Sequence, residues 1–297
     1  MVSKALLVVA ILLVAAAVHA KPPQPPRGFK WVRNWAFSDE FNGNQLNQKK
    51  WNNFHPWWNG RYPGMFSRDT VSVGGGMLRI RNGINEQKTK QRGHLVYKTG
   101  AVTSKNKNAP HGYYEVRMKA SSIMMGSAMF LANMKKPLNG SKCVSYSQEL
   151  DVIETVGGQN YRKWFSNYAL SNHMMNSNTH YRHMNKCKGW KREKYETTGA
   201  HKKWLKSRTC DGFHTYGAWW KNAHQVTFYA DDQKNADVWF KNNIDKTNPF
   251  DRGMMLVMCT ETYESAKPYP SRQQLRNNRI NTTYFDWVRA WRLVRKW

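Results

Sequence analysis

The sequence predicts an all-β protein, and three observations carry that reading. Short apolar or alternating runs recur between clusters of Gly, Asn, Pro and Lys, helical periodicity is nearly absent, and no internal repeat is evident. A chain of 297 residues is long enough for one large domain with a substantial core.

Taken in order, residues 1–20 open with Lys4, continue as an apolar run from Ala5 to Val18 and end in Val18-His19-Ala20, the pattern of a secretory signal peptide. The apolar run is too short for a comfortable membrane span, and no later segment comes near that length. Residues 21–30, with Pro22, Pro23, Pro25 and Pro26, read as an extended linker without a core of its own. A single domain is expected over 31–297. Strands are expected at Val71–Val73, Met77–Ile80, Tyr113–Met118, Val226–Tyr229 and Met254–Met258, and a helical turn or two within Pro270–Asn277.

Between Asn53 and Phe66 lie Phe54, Trp57, Trp58, Tyr62 and Phe66, interrupted by Gly60, Arg61, Pro63 and Gly64. So many aromatics in a turn-rich stretch exceed what a core needs. Sugar rings stack their C–H faces on aromatic rings, so Trp57 or Trp58 is expected to form a platform beside Arg61, whose guanidinium suits hydroxyls or sulfate. The methionines Met124, Met125 and Met129 are read as core filler.

The most informative stretch is Gln148–Thr155. Glu149, Asp151 and Glu154 sit there in a run whose Leu150, Val152 and Ile153 belong to a buried strand. Carboxylates in such a place lose hydration and need partners or a task. Strict alternation puts Glu149 and Asp151 on one face and Glu154 on the other. A β-bulge near Val152 and Ile153 restores Glu154 to their side, about four strand steps or roughly 13 Å from Glu149 between Cα atoms. Side chains leaning inward from there approach the separation of about 5 to 5.5 Å at which a retaining glycosidase works.

These residues also carry a family resemblance. Glu149-Leu150-Asp151-Val152-Ile153-Glu154 resembles the E-x-D-x-x-E signature of glycoside hydrolase family 16. Ser38–Gly43, Gly100–Lys107, His111–Lys119, Phe213–Gly217 and Tyr284–Arg289 match further motifs of that family in order, and Thr260-Glu261-Thr262 resembles its agarase and porphyranase branch. The resemblance implies a β-sandwich jelly roll of two curved antiparallel sheets with a concave substrate cleft. It also implies retaining endo-hydrolysis of a β-linked galactan, with Glu149 as nucleophile, Asp151 assisting, Glu154 as acid/base and Glu261 binding hydroxyls in the cleft. Pairing of Glu261 with a nearby cation is the competing reading. Met129 stands where the family usually has a tryptophan-containing strand, which weakens transfer of glucan subsites. An endo-β-1,3-glucanase and a non-catalytic secreted lectin are the alternatives.

Ser166–Tyr168, Ser171–His173 and Asn178–Tyr181 have the polar and aromatic density of a cleft lining, and His173 is the candidate there for a bond to the acid/base or to a sugar hydroxyl. Export would place Cys143, Cys187, Cys210 and Cys259 in an oxidising compartment. Cys187 with Cys210 is the favoured pair, because they bracket a loop-like segment, and Cys143 with Cys259 follows by elimination. No Cys or His spacing supports zinc, no cofactor is called for, and a structural calcium is left open. Sequons occur at Asn139 and Asn281.

The net charge of +28 becomes +27 once Lys4 leaves with residues 1–20. A field of that size favours a polyanionic partner, here a sulfated polysaccharide over nucleic acid or membrane, met by a monomer. Eight Lys or Arg against two Glu lie between Cys187 and Cys210, with Trp190, Tyr195 and Trp204 among them, so that segment is the expected polyanion-facing loop.

Overall fold

The computed structural model describes residues 21–137, 141–159, 170–240 and 252–297. The expected signal peptide, the sequon at Asn139 and the Ser166–Tyr168 stretch lie outside them. Among the described residues no helix is long and apolar enough to cross a membrane.

Two antiparallel sheets of eight strands each stack as a sandwich. The cleft sheet runs Lys194–Trp204, Met174–Asn185, Val144–Val156, Gly126–Ala132, Met255–Glu261, Ala101–Ser104 and Trp51–Asn52, and the short Lys136–Pro137 strand joins Val144–Val156. The outer sheet runs Gln233–Trp239, Gln225–Ala230, His214–Asn222, Gly112–Lys119, Thr282–Arg295, Met77–Arg81 and Val71–Gly74, with Phe29–Arg33 on Thr282–Arg295. Every strand expected from the alternating runs is present. The turn expected within Pro270–Asn277 is the helix Arg272–Arg276, whose start is capped by Ser271 and Gln274.

The core fills the space between the sheets. Leu131, Leu150, Met175 and Leu256 come from one side, and Val116, Met118, Ala218, Phe228, Phe285 and Val288 from the other. Met129 belongs to it as well and Met125 to a smaller cluster, so both serve as filler. The bulge is where the acid spacing requires it. Met129 pairs with Ile153 and Phe130 with Asp151, so Val152 has no partner of its own across that ladder, and the ladder to Met174–Asn185 shifts between Asp151 and Glu154. Val152 and Ile153 consequently both enter the core, fully buried. Each contributes about 1.5–3 kcal/mol of apolar burial, which holds the acids on the opposite face.

Three expectations need correction. Cys143 is bonded to Cys187, with Cα atoms 5.4 Å apart, while Cys210 and Cys259 are free and buried. The reason is register. Val144 lies opposite Asn185, so both cysteines sit at the same end of one strand pair. Cys259 lies in the middle of Met255–Glu261 and Cys210 against Gly157, out of reach of either expected partner. Secondly, the segment from Cys187 to Cys210 is not a loop: it holds Lys194–Trp204, the edge strand of the cleft sheet. Thirdly, Asn281 is fully buried, with its amide donating to the Leu275 carbonyl at 2.6 Å, so the folded chain offers no glycan acceptor there.

Candidate active site

The outer face of the cleft sheet carries a groove of about 490 Å³. Glu149, Asp151 and Glu154 line it, together with His55, Trp57, Trp58, Arg61, Arg182 and Glu261. Four of the five residues expected to bind substrate are therefore present. His173 is not among the lining residues. Asn176 is the residue level with Glu154, which leaves His173 in the turn beyond, its backbone N–H bonded to Ser171 Oγ.

The floor beneath the groove is made of small and apolar side chains. Ala128, Phe130 and Ala132 share it with Val257 and Cys259, and Trp57 and Trp58 pack against this cluster. Both tryptophans stay half-buried, with the His55 ring edge-on to them at 4.8 and 5.6 Å. Trp58 also meets Phe66 edge-on at 4.9 Å, so it pins its own loop as well as facing the groove.

Each acid has its own partners. Glu149 Oε2 lies 3.3 Å from Arg182 Nη1. Asp151 is buried, and His180 Nε2 approaches its Oδ2 at 3.1 Å without the alignment of a hydrogen bond. His180 is fixed from its other side, where Nδ1 meets the Tyr195 hydroxyl at 2.7 Å and the Thr197 hydroxyl at 3.1 Å. Glu154 Oε2 accepts from the amides of Asn178 at 2.8 Å and Asn176 at 3.3 Å, and its Oε1 lies in hydrogen-bond contact with the Tyr263 hydroxyl at 2.7 Å. Glu261 is buried and receives Arg61 Nε at 2.8 Å, so the cation-pairing reading of Glu261 holds in this arrangement.

Burial and mutual repulsion set the protonation. The Asp151 carboxyl is pushed well up by burial, then by the charges of Glu154 and Glu149. Glu154 is raised by burial and by Glu261, against the opposing Tyr263 bond. A raised carboxyl pKa is what a general acid needs near neutral pH. Burial lowers His180 and brings His55 to about 4, so both are neutral there. Glu149, Asp151 and His180 bring three ligand atoms within 4.8 Å of one another. The Arg182 guanidinium on Glu149 competes with a cation at that point.

Sequence reasoning missed His55, Arg182, Asn176 and Tyr263, while Asn178 and His180 lie in the Asn178–Tyr181 stretch read as cleft lining. One signal was readable: Asn176, Asn178, His180 and Arg182 recur at every second position, the period of one strand face.

Paired carboxylates on one face of a bulged strand, in an aromatic-walled groove on a jelly roll, define a glycoside hydrolase of the two-carboxylate type. The family model described as beta-porphyranase A–D, GH16 domain, matches residues 31–293, and the chain belongs to that family. Beta-porphyranase B of Phocaeicola plebeius is 38% identical over 291 residues, covering 92% of this chain and 88% of that protein. Beta-porphyranase E of Zobellia galactanivorans is 37% identical over 274 residues, covering 91% and 90%. A crystal structure of a beta-porphyranase from Bacteroides plebeius superposes with a TM-score of 0.79 at 37% identity, over 92% of this chain and 95% of that one. Beta-agarase A of Zobellia galactanivorans shares the fold, with a TM-score of 0.72 at 18% identity over 95% and 98%.

Proposed function

We propose that the chain is a secreted, monomeric, retaining endo-hydrolase of porphyran. Glu149 attacks the anomeric carbon while Glu154 gives its proton to the leaving oxygen. The glycosyl-Glu149 ester is then hydrolysed by a water from which Glu154 takes a proton, restoring both groups. Burial and the charge of Glu261 keep the proton on Glu154, and Asp151 assists from its buried place between the two acids. Arg182 orients Glu149 between turnovers. Trp57 and Trp58 offer faces to sugar rings, and Arg61, half-exposed at the groove, is the cation placed to meet sulfate or hydroxyl oxygens.

The observation that carries this reading is the bulge, which puts Glu149, Asp151 and Glu154 on one face of one groove. The choice of porphyran over agarose is supported by relatives named beta-porphyranases at 38% and 37% identity, against 26% for a beta-agarase of Agarivorans albus. A panel of porphyran, agarose, carrageenans and laminarin with sized products tests it. Porphyran should yield short oligosaccharides whose newly formed end is first the β-anomer by NMR. Cleavage of laminarin alone, or an α-anomer formed first, would overturn the reading.

A further inference from the structure

Tyr263 Oη lies 2.7 Å from Glu154 Oε1 and 3.0 Å from Glu261 Oε1. A phenol has one proton and can donate to only one of two carboxylates at a time. Both contacts are hydrogen bonds only if one of the two acids is itself protonated and donates back to the phenol oxygen. Burial raises Glu261 too, but it has a cation bonded to its carboxylate, Arg61 Nε at 2.8 Å, whereas the direct partners of Glu154 are neutral amides and a phenol, so Glu154 is the better place for the shared proton. Oε2 of Glu154 already accepts two amide N–H groups, from Asn176 and Asn178. The free position for a proton is Glu154 Oε1, facing Tyr263.

We infer that Glu154, Tyr263, Glu261 and Arg61 form one directed chain in which Tyr263 and Glu261 are positioning residues that orient and tune the proton of the acid/base. The inference rests on the glycosidase reading, which makes Glu154 that group. The chain runs from the Glu154 O–H to the Tyr263 oxygen, from the Tyr263 O–H to the Glu261 carboxylate, and from there to Arg61. When Glu154 passes its proton to the leaving oxygen, the Tyr263 O–H turns from Glu261 to the new Glu154 carboxylate. When water returns a proton to Glu154, it turns back. No proton is created or lost in either movement, and Glu261 remains charged throughout.

The backbone is shaped around this chain. A Cβ at Gly126 would lie 2.3 Å from Tyr263 Cε2 and 3.2 Å from Glu261 Cγ, so the ring occupies the space that glycine leaves. Arg61 lies over the same ring, 5.0 Å from its centroid. Other charged or titratable groups face Glu154 as well: Glu149 and Asp151 from its own strand, His180 and Arg182 from Met174–Asn185, Cys259 from Met255–Glu261, and Tyr195 from the edge strand. They are the same across each set of variants compared below.

The test is the pH profile of kcat/KM on porphyran for wild type, Glu261→Gln and Tyr263→Phe. Removing the like charge of Glu261 should move the basic limb to lower pH by about one unit. Removing the Tyr263 donor, which favours the ionised form, should move it to higher pH. Carbon-13 NMR titration of glutamate-labelled protein in a Glu149→Gln background should show the Glu154 carboxyl moving in the same two directions, and it needs no substrate. Unmoved limbs and an unmoved carboxyl in a wild type that cleaves porphyran would overturn the inference alone. So would a raised KM for Glu261→Gln with both limbs fixed, which would make Glu261 a substrate contact.

Discussion

Glu149→Ala separates chemistry from folding, because its consequences for the two can be worked out independently. Loss of a covalent nucleophile closes the two-step route and should lower kcat by about five orders of magnitude, ~7 kcal/mol of barrier. The effect on stability should be small. The pair with Arg182 is long at 3.3 Å, and its side chains are 38% and 21% exposed. Such a pair is worth at most about 1 kcal/mol. The charge of Glu149 also raises the proton affinity of Asp151 and Glu154, so its removal relieves repulsion that offsets the lost pair. The melting temperature should stay within about 3 °C of wild type. The decisive assay adds sodium azide to the variant with a porphyran oligosaccharide. Azide entering the space vacated by the carboxylate attacks from that side while Glu154 still protonates the leaving oxygen, giving the α-glycosyl azide. In Glu154→Ala, azide instead attacks the glycosyl-Glu149 ester and gives the β-anomer. A β-azide from Glu149→Ala, or residual activity above about 1% without azide, would refute the nucleophile assignment.

Other outcomes follow from the packing and the charges. Cys143→Ser with Cys187→Ser opens a cross-link of 44 residues and should cost about 4 kcal/mol by chain entropy; mass mapping of the unfolded, unreduced wild type should find one cystine and alkylated Cys210 and Cys259. Burial brings the Glu115 carboxyl to about 8, so the fold favours its neutral form. Its contribution is intact below pH 4.5 and is lost as the pH rises towards 8; Glu115→Gln should flatten that decline and raise stability at pH 8.5 by up to about 5 kcal/mol, read by urea denaturation. Neutralising Lys188, Lys191, Arg192 and Lys194 together should raise KM for porphyran and leave neutral agarose nearly unchanged. Salt between 0.1 and 1 M, over which the Debye length falls from about 10 to about 3 Å, should separate the two substrates in the same sense. Equal salt dependence for both would return the charge to a merely solubilising role.

The carboxylate-bearing strand was legible because its two demands conflict. Carboxylates at 149, 151 and 154 can share a face only if one apolar residue is absorbed, and Val152 is that residue. The rest of the site arrives from other strands and from a loop, and pairing register does not show in composition. That is why Arg182 and Tyr263 were missed and why the cysteines were paired wrongly. Lys194–Trp204 was hidden by its own polarity. As an edge strand with much of its length exposed it has few apolar residues to alternate, and only Thr198 is fully buried. The helix Glu86–Arg92 escaped for a similar reason: it is polar on nearly every side, and the local signals are the Asn85 cap and the left-handed Gly93 that ends it.

The lysines of that edge strand have a second effect. The outermost strand of a sheet presents unpaired N–H and C=O groups, a template on which another copy can add a strand of its own. Lys194 and Lys203, exposed on Lys194–Trp204, put like charges wherever two such edges would meet. The charge pattern proposed to draw in a sulfated polymer would therefore also oppose edge-to-edge pairing of the enzyme, and variants stripped of it should lose colloidal stability before they lose their fold.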